Sequence, residues 1–297
     1  MLGRRLAVIW ASTGRPVNIY DTSDAALDSA CTYIADNLVF FCAENGTHPG
    51  HVHFSSSVHD AVTNAWMVIE AVPEDLDLKI SVLGRLDRLV NNDCIIATNS
   101  SCFRSRELVS EVKNRERVLN TLYYVPPGNI CVEVMGCGYT APTLIKFLKQ
   151  EMETVGLSPK IVRHESTGMI LPRIWAAMKR ETLMELQEGV ARPEDIDELF
   201  RDFFGADKGP CEKMDEIGLD TVAAVERHFL DADEWRKGGK GWSHLRWLEN
   251  NYVEQGKLGN KVGEGLVARR KKEAKPANID GAAKEVWKDH SVDLSGM

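Results

Sequence analysis

The chain has 297 residues and a formal net charge of -8, with 43% hydrophobic and 27% charged residues. This composition supplies enough apolar material for a full globular core, and the length allows one large or two medium domains. The acidic balance argues against nucleic acid or an anionic membrane surface as the main partner. Seven scattered cysteines without a CxxC pair are typical of buried thiols in a reducing compartment. With no transmembrane-length apolar run and no signal peptide pattern, we expect a cytoplasmic protein.

The first 21 residues are predicted to form a helix followed by a strand. Apolar residues recur at helical spacing from Leu2 to Trp10, and residues 17–20 alternate as a strand that ends at Asp21. This is the second half of a dinucleotide-binding βαβ unit, in which a glycine opens the helix and an acidic residue meets the ribose hydroxyls. Gly3 stands for the last glycine of the fingerprint, and no hydrophobic strand precedes it in the sequence. We therefore expect the first strand to be missing and an opening between the strands at 17–20 and 67–71.

Strands then alternate with helices up to residue 165. Ser23 is a plausible N-cap for the first long helix, and the histidine-containing loop at 46–53 is interpreted as solvated rather than as a metal site. The alternation predicts an α/β fold with a Rossmann-like, doubly wound and mostly parallel sheet. The predicted helices are 22–45, 58–64, 76–90 and 140–155, and the predicted strands are 65–72, 94–101, 117–125, 131–135 and 160–162.

After residue 165 the strand signal ends and only helices are predicted. The first of them spans 169–189 and is expected to be broken or kinked near Pro172, because proline lacks a backbone donor. Another helix is predicted at 242–255, before a glycine-rich loop. We therefore predict a dinucleotide-binding-type domain at 1–165, an all-helical domain at 166–267 and a charged, mobile tail at 268–297.

Four short motifs occur in an order and at a spacing that resemble the 3-hydroxyacyl-CoA dehydrogenase family, including its lambda-crystallin/gulonate dehydrogenase branch. The resemblance covers roughly residues 1–267. It implies NAD as cofactor, a helical C-terminal domain that usually dimerises, and a cleft in which a histidine held by a glutamate is the general base. The motifs are EAVPEDLDLK at 70–79, ATNSS at 97–101, GP at 209–210 with GLD at 218–220, and NKVGEG at 260–265.

The resemblance assigns cofactor-binding residues one by one. Gly3 matches the last glycine of the fingerprint, and Asp21 matches the ribose-binding acid. The positions that line the nicotinamide side in the family are Glu74, Lys79 and Asn99. No metal is implied, and the expected partner is a small acyl or carbonyl substrate.

The catalytic positions are only partly retained. Ser101 matches the substrate-holding serine, and Glu133 matches the glutamate of the dyad, with one residue deleted before it. Leu122 stands at the position of the histidine, and Pro172 stands at that of an asparagine in the first helix of the second domain. Because leucine carries no proton, a contribution of about 10²–10⁴-fold from general acid–base catalysis is lost unless another group replaces it.

Several residues are candidates for that replacement. His164 is the best placed histidine in the sequence, ahead of His228 and His244, although packing or surface roles are more common for such residues. Tyr123 and Tyr124 flank the lost base. We expect Glu133 to act as the base, with Tyr123 and Ser101 polarising the substrate carbonyl.

Three functions remain open at this point. The first is a repurposed enzyme that acts on a 3-oxo or 3-hydroxy carbonyl compound by non-redox proton transfer, as an isomerase, cyclase, aldol-type or dehydration enzyme of specialised metabolism. The second is an NAD(H)-dependent 3-hydroxyacyl-CoA-type oxidoreductase with a substitute proton donor. The third is an inactive structural or binding protein. We expect NAD binding to be weak or lost, and a homodimer through the helical domain, as the family implies.

Overall fold

The computed structural model describes residues 2–232 and 243–267. They form two compact units, which we call the sheet unit (2–180 and 225–232) and the helical unit (181–224 and 243–267). The predicted tail at 268–297 lies outside the described residues, and so does Trp242 at the start of the predicted helix 242–255.

The sheet unit contains the predicted alternation of helices and strands. Its strands are β1 (Val17–Tyr20), β2 (Val52–Ser55), β3 (Met67–Glu70), β4 (Ile95–Thr98), β5 (Val118–Tyr123), β6 (Cys131–Gly136) and β7 (Ser158–Ile161). Its helices are α1 (Leu2–Ala11), α2 (Asp24–Asn45), α3 (Val58–Val62), α4 (Leu76–Leu89), α5 (Ser105–Leu108) and α6 (Pro142–Thr154). The helices that follow are α7 (Leu171–Glu188), α8 (Pro193–Phe204), α9 (Pro210–Ile217), α10 (Leu219–Ala232) and α11 (Ser243–Leu248).

The strands form two separate sheets. Five strands pair in the order β3-β4-β5-β6-β7, in which only the β5–β6 pair is antiparallel, and β1 pairs with β2 in a parallel sheet of two strands. In residues 2–232 and 243–267, β1 has no partner besides β2, and β3 has none besides β4. The Rossmann-like fold class is thus confirmed, and the predicted opening between residues 17–20 and 67–71 is present.

Apolar side chains of α1 lie beside this opening. Ile9 and Trp10 belong to the same buried cluster as Met67 and Ile69 of β3. The Trp10 ring meets the Trp66 ring edge to face, with centroids 5.7 Å apart. These contacts keep water away from the apolar side chains near the two open strand edges, because a packed cluster of this kind excludes solvent.

Short sequence motifs explain where two of the helices, α2 and α7, begin. The predicted cap of α2 is confirmed, since the Ser23 hydroxyl accepts a hydrogen bond from the Ala26 amide at 3.3 Å. The predicted kink at Pro172 is not found. Helix α7 begins at Leu171, so the proline lies in the first turn, where a missing backbone donor disturbs nothing. The predicted loop at 46–53 also differs, because β2 begins within it at Val52.

Candidate active site

The central feature of the candidate site is a cross-strand pair on β5 and β6. Leu122 lies directly opposite Glu133, and Tyr123 lies opposite Val132. Because side chains alternate between the faces of a strand, Leu122, Tyr124 and Glu133 share one face, and Tyr123 points to the other. The leucine is therefore adjacent to the glutamate, as the family motif predicts for the missing histidine.

Glu133 is buried, with 3% of its surface exposed, and it is held by three donors. The Tyr124 hydroxyl donates to Oε1, the Leu171 amide donates to Oε1 at 2.8 Å, and the Ile170 amide donates to Oε2 at 2.6 Å. Two of these donors belong to the start of α7, whose first amides have no partner within the helix. A negative carboxylate at this end also complements the helix dipole. Glu133 thus joins β6 to α7 and holds the Tyr124 phenol.

Tyr124 is the phenol on the same face as Glu133. Burial and the hydrogen bond to Glu133 raise the pKa of Tyr124, so its phenol keeps its proton at neutral pH. A hydroxyl that donates to a carboxylate still has lone pairs that accept from a substrate. The Tyr124–Glu133 pair therefore combines a half-buried oxygen with a carboxylate that can accept the phenol proton when the oxygen takes up another one.

Tyr123 does not contact Glu133. It is buried in the core on the other face, where the Trp10 indole donates to its hydroxyl at 3.3 Å. Burial also raises the pKa of Tyr123. The role in polarising a substrate carbonyl that the sequence predicts for Tyr123 stays a prediction, and Tyr124 is the tyrosine that contacts Glu133. The alternation along β5 contained the necessary signal, since Tyr124 is two residues from Leu122 and shares its face.

A second polar group lies at the carboxyl ends of β3 and β4. The Lys79 ammonium donates to Glu70 Oε1 at 2.9 Å and to the Val72 carbonyl at 3.2 Å, and Glu74 Oε2 lies 3.3 Å away. The Thr98 hydroxyl donates to the other oxygen of Glu70 at 2.6 Å. Lys79 is only 1% exposed. Its ammonium therefore makes two hydrogen bonds and a further ion pair inside the protein, which sequence reasoning did not foresee because it did not assign Glu70 a role.

Glu74 is tied to the loop that follows β4. Its Oε1 accepts from the Ser100 hydroxyl at 2.5 Å and from the Ser101 and Cys102 amides at 3.1 and 3.2 Å. Burial opposes ionisation of Glu74, but the Lys79 charge and the hydrogen bonds from Cys102 and Ser100 hold its pKa below the usual value. The structure thus brings Glu74, Lys79 and Ser101 together.

The other predicted cofactor residues lie apart from this group. The Asn99 side-chain oxygen accepts from the Tyr123 amide at 3.0 Å, which ties β4 to β5. Asp21 follows β1, and its Oδ1 accepts from the Ser23 amide at 3.0 Å. Gly3 lies in the first turn of α1, and a Cβ at that position would meet nothing within 4 Å. Gly3 is thus exposed in the first turn of α1, and the Asp21 carboxylate is bonded to the chain just before α2.

The residues that are predicted to line the nicotinamide fit NAD poorly. The family motif directs Lys79 toward the nicotinamide, but the ammonium is buried and bonded to Glu70, Val72 and Glu74. To turn toward a ligand, this ammonium would have to leave a buried ion pair, which is costly. We therefore derive no reaction step through NAD.

Of the candidate histidines, His228 lies closest to this loop. Its Nε2 is 3.3 Å from the Cys102 carbonyl, and its ring packs on Phe103 with centroids 4.8 Å apart. His164 is exposed, and His244 is buried in the helical unit. In the part of the chain that the structure describes, Glu133 is hydrogen-bonded to Tyr124, Ile170 and Leu171, and none of the three histidines is among its partners.

A cavity of about 810 Å³ lies elsewhere, at the amino ends of β3, β4 and β5. Trp66 and Phe147 line it together with Arg15, Asp93 and Arg117, and no predicted site residue does. Within residues 2–232 and 243–267 no group of three or more histidine, cysteine, aspartate or glutamate side chains could hold a metal ion. The helices of the same residues include none with the length and apolar character to cross a membrane.

Comparison with known proteins agrees with the motifs. Residues 1–165 match the family model for the NAD binding domain of 3-hydroxyacyl-CoA dehydrogenase, and residues 168–269 match the model for its C-terminal domain. The 5-formyl-3-hydroxy-2-methylpyridine 4-carboxylate 5-dehydrogenase of Mesorhizobium japonicum is 28% identical over 295 residues, which cover 96% of this chain and 93% of that protein.

Two solved structures are also similar along most of their length. The (S)-3-hydroxybutyryl-CoA dehydrogenase of Ralstonia eutropha has a TM-score of 0.78 at 27% identity, covering 91% of this chain and 95% of that one. A diketoreductase, solved in connection with substrate-directed dual catalysis of dicarbonyl compounds, has a TM-score of 0.72 at 29% identity, covering 90% and 94%. From the matching models and the shared fold, the chain belongs to the 3-hydroxyacyl-CoA dehydrogenase family.

Proposed function

We propose that this protein acts on a small 3-oxo or 3-hydroxy carbonyl compound by proton transfer without net redox change. The observation that carries the proposal is the Leu122–Glu133 pair, in which an aliphatic side chain takes the position of the family's base. A 3-oxo compound has acidic protons between its carbonyl groups, so enolisation, isomerisation, retro-aldol cleavage or dehydration need only a positioned acid and base.

Tyr124 and Glu133 supply that acid and base. The Tyr124 oxygen takes a proton from the substrate hydroxyl or from the carbon between the carbonyls, while its own proton moves to Glu133 Oε1. The same two protons return at the end of the reaction, so the protein is restored. The hydroxyl of Ser101, which follows β4 and matches the substrate-holding serine of the family, polarises the substrate carbonyl. Such a positioned pair contributes about 10²–10⁴-fold in rate.

A second candidate is an NAD(H)-dependent oxidoreductase in which the Tyr124–Glu133 pair substitutes for the histidine. The open space at Gly3 and the carboxylate of Asp21 support it, and so do the dehydrogenases among the relatives. The buried Lys79, which is bonded to Glu70 and Val72 and paired with Glu74, supports weak or absent NAD binding instead. The third candidate is an inactive binding protein.

One experiment separates the three. Acetoacetyl-CoA, a 3-oxoacyl thioester, is incubated with the protein in D₂O, and exchange of its protons is followed by NMR with and without NADH. We expect exchange above the protein-free rate that does not depend on NADH, and no saturable change in NADH fluorescence. Oxidation of NADH would establish the second candidate, and the protein-free rate in both samples would leave only the third.

We also propose a homodimer that uses the helical unit. On α8 the side chains of Leu199, Phe203 and Phe204 are exposed, Phe203 to 84%, although they are large and apolar. The Phe203 and Phe204 rings are 5.0 Å apart and form a continuous patch, and such patches usually mark protein contacts. Sedimentation should show a dimer for the intact chain and a monomer for Phe203→Asp. Val190→Asp, at another exposed apolar residue of the same unit, is the control that should stay dimeric.

A further inference from the structure

The open edges of β1 and β3 form an unpaired surface of the sheet unit. Each strand has four residues, and within residues 2–232 and 243–267 each pairs on one side only. The two strands nevertheless pack against the same clusters. Val17 and Met67 contact one buried cluster, and Tyr20 and Val68 contact a second. β1 and β3 are therefore two edges of one layer, with an opening between them.

The side chains beside the opening remain partly accessible. β4, which pairs on both sides, is buried at all four positions, whereas Met67, Val68 and Ile69 of β3 are only half-buried. Val17 and Ile19 of β1 are half-buried as well. An apolar strand edge of this kind tends to pair with another chain, because pairing satisfies its backbone groups and buries its side chains.

The backbone of β3 directs hydrogen-bonding groups into the opening. The Ile95 amide of β4 donates to the Trp66 carbonyl at 2.9 Å. Within a parallel pair, every second residue of a strand makes its hydrogen bonds to the same neighbour. Residues 66, 68 and 70 thus pair with β4, and the amides and carbonyls of Met67 and Ile69 face the opening.

The backbone of β1 does the same from the other side. The Val17 amide donates to the His51 carbonyl at 3.0 Å, so Val17 and Ile19 pair with β2. The amides and carbonyls of Asn18 and Tyr20 therefore face the opening. Both edges thus offer alternating donors and acceptors, which is the pattern that an added strand uses.

The cavity of about 810 Å³ lies at the amino end of the opening. Trp66 directly precedes β3, Arg15 lies shortly before β1, and both residues line this cavity. β1 and β3 therefore start on the same side and run in the same direction away from the cavity. A segment that enters the opening parallel to both strands has its amino end in the cavity.

The cavity carries an excess of carboxylates. Arg15 is paired with Glu151, and Arg117 is paired with a carboxylate outside the cavity, so both guanidinium charges are neutralised. Asp93 and Glu116 also line the cavity, are exposed, and have no ion pair with any residue that the structure describes. A cationic side chain at the amino end of an entering segment complements these carboxylates.

We propose that the opening is a docking site for an extended segment of a partner protein, which inserts between β1 and β3 as a parallel strand. The segment is apolar over four residues, the length of each edge, because buried clusters lie on both faces of the layer. A lysine or arginine at its amino end lies beside Asp93 and Glu116. Main-chain hydrogen bonds to both edges provide the affinity, and the cationic residue sets the direction. The inference does not rest on the proposed proton transfer.

The test uses the full chain and synthetic peptides with fluorescein on a carboxyl-terminal lysine. We expect a saturable rise in fluorescence anisotropy with the peptide acetyl-RIVAVGK-amide. The matched peptide acetyl-RIPAVGK-amide should not bind, because proline has no amide hydrogen and interrupts the ladder. The peptide acetyl-EIVAVGK-amide should bind about two- to fivefold more weakly than the first, the effect of an exposed ion pair. No saturable binding of the first peptide, or equal binding of the proline peptide, overturns the inference.

Hydrogen exchange of single amides, followed by NMR, locates the bound peptide. The amides of Met67 and Ile69 on β3 and of Asn18 and Tyr20 on β1 should become protected, because they gain acceptors. The Val68 amide, which already pairs with β4, is the internal reference and should change less. Binding without protection of the four facing amides overturns the inference. Protection that appears without peptide and grows with chain concentration would assign the opening to a second copy of this chain, which also overturns it.

A variant that combines Asp93→Asn with Glu116→Gln tests the acidic cavity. It should bind acetyl-RIVAVGK-amide about two- to fivefold more weakly than the unaltered chain does. Glu153→Gln is the matched control and should bind normally, because its carboxylate pairs with Lys149 on the surface and is not part of the cavity lining. Unchanged affinity in the combined variant would overturn the assigned direction of the segment.

Discussion

Two buried carboxylates of the sheet unit, Glu70 and Glu133, differ in what holds them. Glu70 faces the Lys79 ammonium and the Thr98 hydroxyl, so its charge is neutralised inside the protein. Glu133 is held by a phenol and two backbone amides, and no cation pairs with it in residues 2–232 and 243–267. The contacts of Glu70 form a buried ion pair with a structural role. The second keeps a polarised phenol at a half-buried position, which is what proton transfer requires.

Breaking the Lys79–Glu70 ion pair should have the largest effect on stability. Lys79→Met leaves the Glu70 carboxylate buried without its cation, so the free energy of unfolding should fall by about 3–5 kcal/mol. Lys149→Met is the control, because the Lys149–Glu153 pair is on the surface and such pairs contribute about 0–1 kcal/mol. Urea unfolding measures both. A loss below 1 kcal/mol for Lys79→Met would contradict the closed ion pair, and the double variant with Glu70→Gln should recover part of the loss.

Disturbing the hydrogen bonds of Glu133 should cost less stability than breaking the Lys79–Glu70 pair, but it should reduce activity more. Glu133→Gln keeps the shape and replaces one acceptor oxygen by a donor that faces an amide. The stability loss should be about 1–3 kcal/mol, the cost of an unsatisfied buried group. Proton exchange should fall toward the protein-free rate. Glu151→Gln, which alters only a partly exposed pair with Arg15, should change neither quantity measurably. Full exchange activity in Glu133→Gln would remove Glu133 from the mechanism.

The turn between β5 and β6 offers a smaller, stabilising change. Val125 has a φ of 56°, a left-handed conformation that β-branched residues adopt only under strain. Asparagine tolerates this region, so Val125→Asn should raise the free energy of unfolding by about 1 kcal/mol. Val190→Asn is the matched control at another exposed valine without positive φ, and it should have little effect. A decrease in stability for Val125→Asn would show that the valine side chain makes contacts worth more than the strain.

Lowering the pH should reduce the stability that ionised Glu74 gives to the β3–β4 region. Its pKa in the folded protein is below the usual value. A depressed carboxyl pKa contributes stability that is complete above the pKa of the unfolded chain and is lost as the pH falls through the folded pKa. Glu74→Gln should therefore unfold with a weaker dependence on acidic pH than the unaltered chain. Identical pH profiles would show that Lys79 and Ser100 do not stabilise the ionised form.

Local sequence signals predicted much of the fold. Ser23 and Gly46 bound α2 because a capping hydroxyl and a left-handed glycine act within one turn of the chain. The start of β2 was not predicted, since its four residues are defined by parallel pairing with β1, more than 30 residues away in sequence. Pro172 was expected to break a helix that in fact begins one residue before it. A proline indicates a boundary, but not which side of it the helix occupies.

The candidate site was predictable in its positions but not in its contacts. Leu122 and Glu133 lie opposite each other, as the family motif implies. The motif does not state where the Glu133 oxygens point, and the Ile170 and Leu171 amides come from 37 and 38 residues away. Choosing Tyr123 over Tyr124 overlooked the alternation of side chains along β5.

The two tyrosines give the most direct test of the proposed chemistry. Exchange of acetoacetyl-CoA protons in D₂O, without any nicotinamide, is measured for the unaltered chain, for Tyr124→Phe and for Tyr123→Phe. The Tyr124–Glu133 mechanism predicts a loss of about 10²-fold or more for Tyr124→Phe. It predicts an unchanged rate for Tyr123→Phe, whose hydroxyl contacts Trp10 in the core. Equal rates for the two variants, or a loss confined to Tyr123→Phe, would contradict it.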